Sequence, residues 1–170
     1  MKNIVLTGFM ASGKSTVGRE LSKKLSRVFY DTDQLLEDAA QASISEIFAE
    51  QGETAFRNME SGLIQKLSSL TNCIIATGGG AVLRAENREN LRKNGAIVNL
   101  APDAEVLRIR LSEAAKTRPL LTDFESAKRR MQEREPYYAD CDLRIAVTAE
   151  KTPSALADEI ITAFKERSIL

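Results

Sequence analysis

Short apolar runs alternate with longer stretches of helical spacing along the whole chain. The runs are rich in β-branched and aliphatic residues and read NIVLT, VFYD, CIIAT, AIVNL and LRIAV. Each is followed by a segment in which apolar residues recur at helical spacing. Because strands that alternate with helices pair in parallel and are covered on both faces, the pattern predicts an α/β fold with a parallel sheet flanked by helices.

Several helical segments can be placed more closely. Residues 14–26 and 153–165 carry apolar side chains every four positions, so each predicts a helix with one stripe packed on the sheet. Ser43 opens a capping-box pattern, which predicts a short helix through Phe48. Gly52 then separates that helix from a longer one.

The helical pattern weakens between Arg110 and Arg129. This stretch contains a proline and several small residues and shows little amphipathicity, which indicates a mobile segment. No internal repeat, low-complexity tract or linker divides the chain. Its 170 residues are the size of one domain, so we expect a single domain over residues 1–170.

Composition excludes several classes of function. Basic and acidic residues balance at 24 each, so we expect neither a nucleic-acid partner nor a membrane partner. The apolar runs are too short to span a bilayer and Met1 leads directly into a strand, which favours a cytoplasmic location. The chain contains no histidine, which excludes histidine catalysis, and its small size and balanced surface favour a monomer.

The stretch GFMASGKST, residues 8–16, has the pattern G-x-x-x-x-G-K-S between a predicted strand and a predicted helix. Backbone N–H groups there would form a cradle for phosphate at a helix N-terminus. Lys14 would supply a positive charge and the Ser15 hydroxyl a ligand for Mg²⁺. The alternative is a strand-to-helix turn with an incidental lysine, but the flanking strand and helix favour nucleotide binding. The residues predicted to bind nucleotide are Ala11, Ser12, Gly13, Lys14, Ser15 and Thr16.

Asp31 and Asp33 stand at the end of the second strand, two positions apart. They would project to the same side if the strand geometry continues, and ligands bind at the carboxyl ends of parallel strands. One carboxylate could hold the metal while the other orients an acceptor hydroxyl or accepts its proton. Asp33 is equally suited to cap the next helix; only the neighbouring phosphate loop favours the functional interpretation.

A second glycine-rich loop, TGGGAV, follows the CIIAT strand and contains Gly78, Gly79 and Gly80. Three consecutive glycines cost backbone entropy, so the loop predicts close approach of a ligand or positive φ angles. A tight strand-to-helix connection would need only one or two glycines. The loop lacks a phosphate-loop pattern, which makes the second substrate its candidate ligand.

Three arginines are candidates for anion recognition, although most arginines are simply exposed. Arg57 follows the aspartate pair, Arg118 lies in the mobile segment and Arg134 occurs in REPYY. Planar, bidentate recognition of carboxylate or phosphate calls for arginine. Arg118 on a mobile lid could close over the γ-phosphate and stabilise developing charge.

Together these motifs resemble the shikimate kinase family. GFMASGKSTVGR, DTD, FR at Phe56-Arg57, TGGGAV, RPLL and REPYYADCDLRI occur in the family's order and spacing, over essentially all 170 residues. The resemblance implies a P-loop kinase fold with five parallel strands, a small substrate-binding subdomain at residues 33–60 and a lid at residues 112–124. It also implies ATP-dependent phosphorylation of the 3-hydroxyl of shikimate to shikimate 3-phosphate, in aromatic amino acid biosynthesis.

The same resemblance implies a role for each candidate residue on the nucleotide side. Lys14 and Ser15 would serve ATP and Mg²⁺, with Asp31 on the metal through water. Arg118 would reach the phosphates from the lid, and Arg110 and Pro153 would flank adenine. Glycine is common in the family at position 11, and Ala11 fits there if its φ is negative.

On the acceptor side, the resemblance implies that Asp33 contacts the shikimate hydroxyls, as a base or only to orient them. Arg57 and Arg134 would clamp the shikimate carboxylate, and the backbone of Gly78, Gly79 and Gly80 would complete the pocket.

Three other functions share some of these sequence features. Gluconate kinase is also a small P-loop enzyme acting on a carboxylated polyol, but TGGG together with Arg57 resembles shikimate kinase more. A nucleoside monophosphate kinase would need a base-recognition pocket and a longer lid, for which the sequence shows no candidate. A non-catalytic nucleotide-binding module would need neither an acceptor-orienting carboxylate such as Asp33 nor a lid arginine such as Arg118.

Overall fold

The computed structural model describes residues 1–115 and 124–169. Within these ranges five strands form one sheet in the order β2-β3-β1-β4-β5, and every neighbouring pair is parallel. The strands are β1 (Asn3–Thr7), β2 (Val28–Asp31), β3 (Cys73–Ala76), β4 (Gly95–Pro102) and β5 (Leu143–Val147). The predicted five-stranded parallel sheet is confirmed.

Helices follow the strands and cover the sheet. They are α1 (Lys14–Leu25), α2 (Thr32–Ala40), α3 (Ile44–Ser68), α4 (Ala85–Asn94), α5 (Ala104–Ala115), α6 (Phe124–Ala139) and α7 (Pro153–Glu166), with a 3-10 turn at Ala81–Leu83. The predicted capping box is present, because Ser43 and Glu46 bond each other's backbone N–H. Gly52 has φ 82° and ψ 167°, so it breaks α3 into a short and a long part as predicted.

Both faces of the three central strands, β1, β3 and β4, are buried, which explains why these strands read as continuous apolar runs. Successive strand residues point to opposite faces: Ile4 and Leu6 pack with residues of α1 and α7, whereas Val5 packs with residues of α3 and α4. All three are at most 1% exposed. Burying an aliphatic side chain of this size contributes about 2 kcal/mol, so the two layers of helices hold the sheet rigid beneath its loops.

The strand order places a crevice at the carboxyl edge of the sheet. The chain leaves β1 toward β2 on one side and later crosses from β3 to β4 on the other, so the order reverses beside β1. Ligands of open α/β sheets bind outside such a reversal. The loops that follow β1, β2 and β3 meet there, since Ala76 pairs with both Leu6 and Asp31.

The segment expected to be mobile is helical at both of its described ends. Helix α5 continues through Ala115 and α6 begins at Phe124. In α5 the buried residues Val106, Leu107 and Leu111 all precede Ser112, which is why the apolar pattern fades before the helix does. The predicted lid at residues 112–124 lies largely outside the described residues, as do Arg118 and the RPLL motif. None of the described helices is long and apolar enough to cross a membrane.

Candidate active site

The loop between β1 and α1 is built to receive an anion. Gly8 has φ 143° and Gly13 has φ 94°, conformations that glycine adopts at little cost. A Cβ on Gly8 would lie 2.5 Å from the carbonyl oxygen of Leu100. Gly13 precedes α1 without a side-chain cap, which leaves the N–H groups of the first helical turn available to a ligand.

Ala11 in the same loop has a φ of 59°, so the condition of a negative φ, under which alanine fits this position without strain, is not met. The left-handed conformation costs a residue with a Cβ about 1 kcal/mol. Arg110 holds this turn, because its Nη1 donates to the Ala11 carbonyl at 2.9 Å. The loop therefore keeps its turn at Ala11 against the preference of alanine.

Lys14 folds back over the loop. Its Nζ donates to the carbonyls of Gly8 and Phe9, each at 2.8 Å, and to Ser12 Oγ at 3.3 Å. Burial lowers the pKa of Lys14 to about 8, although Asp33 and Asp31 act in the opposite direction. A bound phosphate would give the Lys14 ammonium a negatively charged partner in place of the neutral loop carbonyls. A buried ammonium is stabilised most by such an opposite charge.

Ser15 and Asp31 form the candidate metal site. Ser15 Oγ donates to Asp31 Oδ2 at 2.5 Å, which brings a hydroxyl and a carboxylate together beside the phosphate loop. Mg²⁺ prefers hard oxygen ligands and is usually held by one or two of them together with substrate phosphates. In the described part of the chain no cluster of three metal-binding side chains exists. These residues fit a Mg²⁺ ion that arrives with its nucleotide.

Asp31, and not Asp33, caps α2. Asp31 Oδ1 accepts the N–H groups of Asp33 at 3.1 Å and Gln34 at 3.5 Å. Strand geometry ends at Asp31, so the condition under which both side chains would project to the same side is not met; Asp33 lies in the first turn of α2. Its side chain is consequently free of the capping role and lines the neighbouring cavity.

This open cavity has a volume of about 770 Å³, ample for a small metabolite. Its lining includes Asp33, Arg57, Gly78, Gly79, Gly80 and Arg134. Burial, reinforced by the charge of Asp31, raises the pKa of Asp33 to about 6, and Lys14 partly offsets the rise. Between about pH 6 and pH 8 the site thus holds a carboxylate and an ammonium side by side.

Arg57 is held in place by Glu60, one turn along α3. Arg57 Nη1 lies 2.7 Å from Glu60 Oε2, and the Glu60 side chain is completely buried. The other oxygen, Oε1, has no hydrogen-bond partner among the described residues. Burial raises the pKa of Glu60, and Arg57 acts against that rise. The pair presents a guanidinium to the cavity in a fixed orientation.

Close approach, and not positive φ, explains the three glycines. None of them has a φ in the left-handed region. A Cβ on Gly78 would lie 2.6 Å from Asp33 Oδ1 and 2.9 Å from Glu60 Oε1, and one on Gly80 would overlap the Arg57 guanidinium. Any larger residue would thus push the charged side chains out of position.

The two residues predicted to flank adenine lie on different helices. Arg110 on α5 reaches the phosphate loop, where it bonds Ala11 and faces Gly13. Pro153 is the first residue of α7, behind the capping residue Thr152. The contact of Arg110 with Ala11 ties α5 to the phosphate loop and brings it to the nucleotide side of the site.

Comparison with known proteins agrees with this geometry. The family profile described as shikimate kinase matches residues 10–165. The shikimate kinase of Synechococcus sp. is 46% identical, covering 96% of this chain and 88% of its own length. The shikimate kinase of Caldanaerobacter subterraneus is also 46% identical, with 96% of each chain covered. The chain belongs to the shikimate kinase family. The predicted family and enzyme class are thereby confirmed.

A solved structure extends the agreement to the fold. Shikimate kinase from Acinetobacter baumannii in complex with shikimate superposes with a TM-score of 0.88 at 34% identity, covering all of this chain and 96% of the other. The P-loop kinase fold expected from the sequence is confirmed.

Sequence reasoning about this shikimate kinase family member missed three residues at the site. They are Glu60, which pairs with Arg57; Thr32, whose Oγ1 accepts the Gly78 N–H at 2.9 Å; and Tyr138, which bonds the Gly79 carbonyl. Only Glu60 had a local signal, its spacing of three residues from Arg57 on a predicted helix. The other two contacts join residues 46 and 59 positions apart, which no local pattern reveals.

Proposed function

We propose that this chain transfers the γ-phosphoryl group of ATP to the 3-hydroxyl of shikimate, giving shikimate 3-phosphate and ADP. One observation carries the proposal: Asp33 and Arg57 border the glycine loop at the same sheet edge as Lys14. A hydroxyl-binding carboxylate and a carboxylate-binding guanidinium thus share a cavity beside the phosphate loop. The likeness to a relative solved with shikimate supports the same acceptor.

ATP with Mg²⁺ supplies the transferable phosphoryl group and neutralises its oxygens. Residues 11–16 would offer backbone N–H groups to the phosphates, and Lys14 would donate to phosphate oxygens in place of loop carbonyls. Ser15 and Asp31 would hold the metal. Arg110 and Pro153 flank the adenine.

The acceptor is held at both of its ends. Arg57 and Arg134 clamp the carboxylate, because guanidinium groups bind carboxylates through paired hydrogen bonds. Asp33 receives the hydroxyl. With a pKa of about 6, Asp33 is charged at neutral pH and can orient the hydroxyl or accept its proton. Most of the acceleration comes from positioning and electrostatics, since phosphoryl transfer needs little covalent help.

The chain acts as a single domain over residues 1–170 in which two parts serve the substrates. Residues 33–60 form the substrate-binding subdomain on the acceptor side. The lid expected at residues 112–124, with Arg118, lies largely outside the described residues. We place the enzyme in the cytoplasm, and its small size and balanced charge favour a monomer.

The direct test is ADP release in the presence of ATP and Mg²⁺, with shikimate, gluconate, AMP or no acceptor at equal concentration. Turnover with shikimate alone is expected. Turnover with gluconate or AMP instead would keep the nucleotide site and overturn the acceptor. No turnover with any of them, with ATP still bound, would favour the non-catalytic module.

Arginine variants link that activity to the proposed pocket. Arg57→Ala removes one half of the carboxylate clamp and should raise the KM for shikimate at least tenfold while sparing ATP binding. Lys66→Ala removes an exposed cation from the same helix and should change neither. Equal effects of the two variants would show that Arg57 has no special role.

A further inference from the structure

Tyr138 lies one turn beyond Arg134 on α6, on the same face of the helix. It is 3% exposed and packs in an apolar cluster with Phe9, Val82 and Leu107. Its hydroxyl donates to the carbonyl of Gly79 at 2.5 Å. A phenol in such surroundings needs a hydrogen-bond partner, and the partner it has is the middle of the glycine loop.

Gly79 sits where three parts of the site meet. A Cβ on Gly79 would lie 3.2 Å from the N of Met10, so the residue rests on the phosphate loop. The preceding residue, Gly78, is fixed by its N–H bond to Thr32. The carbonyls of Gly78 and Gly80 accept the N–H groups of Ala81 and Leu83, whereas the Gly79 carbonyl is held by side chains of α6. Tyr138 thus ties the acceptor loop to α6.

The orientation of one peptide group sets the direction of the next donor. In a planar trans peptide the Gly79 C=O and the Gly80 N–H point in opposite directions. Because Tyr138 draws the carbonyl toward α6, the Gly80 N–H points away from it. Within the described ranges no residue accepts a hydrogen bond from this N–H, and Gly80 lines the cavity beside Arg57.

Tyr138 also determines what Arg134 is free to do. Arg134 Nη1 lies 3.4 Å from the same Gly79 carbonyl, over the ring of Phe9. Both side chains donate to this carbonyl, but the phenol makes the shorter bond, so the longer bond of the guanidinium is the one more easily exchanged for an anion. Burial raises the pKa of Tyr138 to about 12, so the hydroxyl remains a donor throughout the pH range in which such enzymes are assayed.

We propose that Tyr138 is a positioning residue of the carboxylate site: by holding the Gly79 carbonyl, it aims the Gly80 N–H and frees Arg134 for the acceptor carboxylate. This inference rests on the proposed function, because the carboxylate is that of shikimate. It assigns Tyr138 no contact with the substrate.

The test is binding of shikimate and of its neutral methyl ester, measured by calorimetry without nucleotide on the wild type and on Tyr138→Phe. The variant keeps every ring contact and loses only the hydroxyl, so it should fold. We expect its Kd for shikimate to rise about tenfold, the size of effect expected for losing one well-formed hydrogen bond. Its Kd for the ester and its KM for ATP should stay within twofold of the wild type.

Tyr137→Phe is the matched control. Tyr137 is 38% exposed and lies under Arg88, so its hydroxyl has no part in the glycine loop and its loss should leave both Kd values unchanged. A melting curve of each variant reports folding separately from binding.

Three results would overturn the proposal. Tyr138→Phe could bind shikimate as the wild type does, even with a lowered Tm, which would make the phenol purely structural. It could lose the ester and the acid equally, which would indicate general damage to the cavity. Failure of the wild type to bind or phosphorylate shikimate would overturn the proposed function itself. This result is seen with the wild type alone, so it is distinct from a failure that appears only in the Tyr138→Phe variant.

Discussion

Replacing Asp33 with asparagine should stop the reaction and at the same time stabilise the fold. The pKa of Asp33 rises from 3.8 to about 6 on folding, which corresponds to about 3 kcal/mol at about 1.4 kcal/mol for each pH unit. The folded state binds more protons than the unfolded state between these two values. Protonated Asp33 therefore adds to the free energy of unfolding below about pH 4. This contribution is lost as the pH rises through about 6.

Asparagine has the shape of aspartate without its charge, so Asp33→Asn should regain up to about 3 kcal/mol at pH 7.5. For a domain of this size that is roughly 6 to 12 °C in Tm. Turnover should fall about 10²- to 10⁴-fold, the usual effect of losing an acid–base group. A binding site that trades stability for activity behaves in this way.

The assay is a series of thermal melts from pH 4 to pH 8 on three proteins: the wild type, Asp33→Asn and Asp38→Asn. Asp38 is exposed on the same helix, so its variant should follow the wild type at every pH. The gain of Asp33→Asn should be largest above pH 6 and disappear near pH 4. A variant no more stable than the wild type at pH 7.5 would refute the reasoning that burial strains this carboxylate.

Three more outcomes follow from the same geometry. The pH profile of kcat/KM should be a bell, with an acid limb near 6 from Asp33 and an alkaline limb near 8 from Lys14; a profile flat from pH 5 to 9 would mean that neither group must be in one protonation state. Glu60→Ala leaves Arg57 without its buried partner and should cost about 3 kcal/mol in a urea melt, whereas a cost below about 1 kcal/mol would show that the pair is not coupled. Ala11→Gly removes the strain of a left-handed φ at alanine and should leave the free energy of unfolding unchanged or raise it by up to about 1 kcal/mol. A clear loss of stability would show that this backbone turn is not strained.

Sequence reasoning succeeded where the determining forces are local. The five strands, the capping box at Ser43 and the break at Gly52 each follow from side-chain pattern, capping chemistry or glycine geometry within a few residues. The phosphate loop was equally accessible, because its N–H groups belong to one continuous turn. These features require no knowledge of which segments meet in space.

It failed where a single residue changes the geometry or where partners are distant. The end of β2 at Asp31 was predicted, but the sequence offered Asp33 as the cap of α2, a role that Asp31 fills. The left-handed φ of Ala11 runs against alanine's own preference and is held by Arg110, 99 positions away. Buried polar pairs such as Tyr138 and Gly79 form only when the fold brings their segments together.

The central claim is that the cavity presents the 3-hydroxyl of shikimate to the phosphate held by the loop at residues 8–13. The measurement that tests it most directly is a ³¹P–¹H correlation spectrum of the products formed from ATP, Mg²⁺ and shikimate. The account predicts a single phosphorylated form of shikimate, with its phosphorus coupled to the proton on C3, and slower formation of that product by Arg57→Ala at the same subsaturating shikimate concentration. Phosphate coupled to another position, or released only as inorganic phosphate, would contradict it.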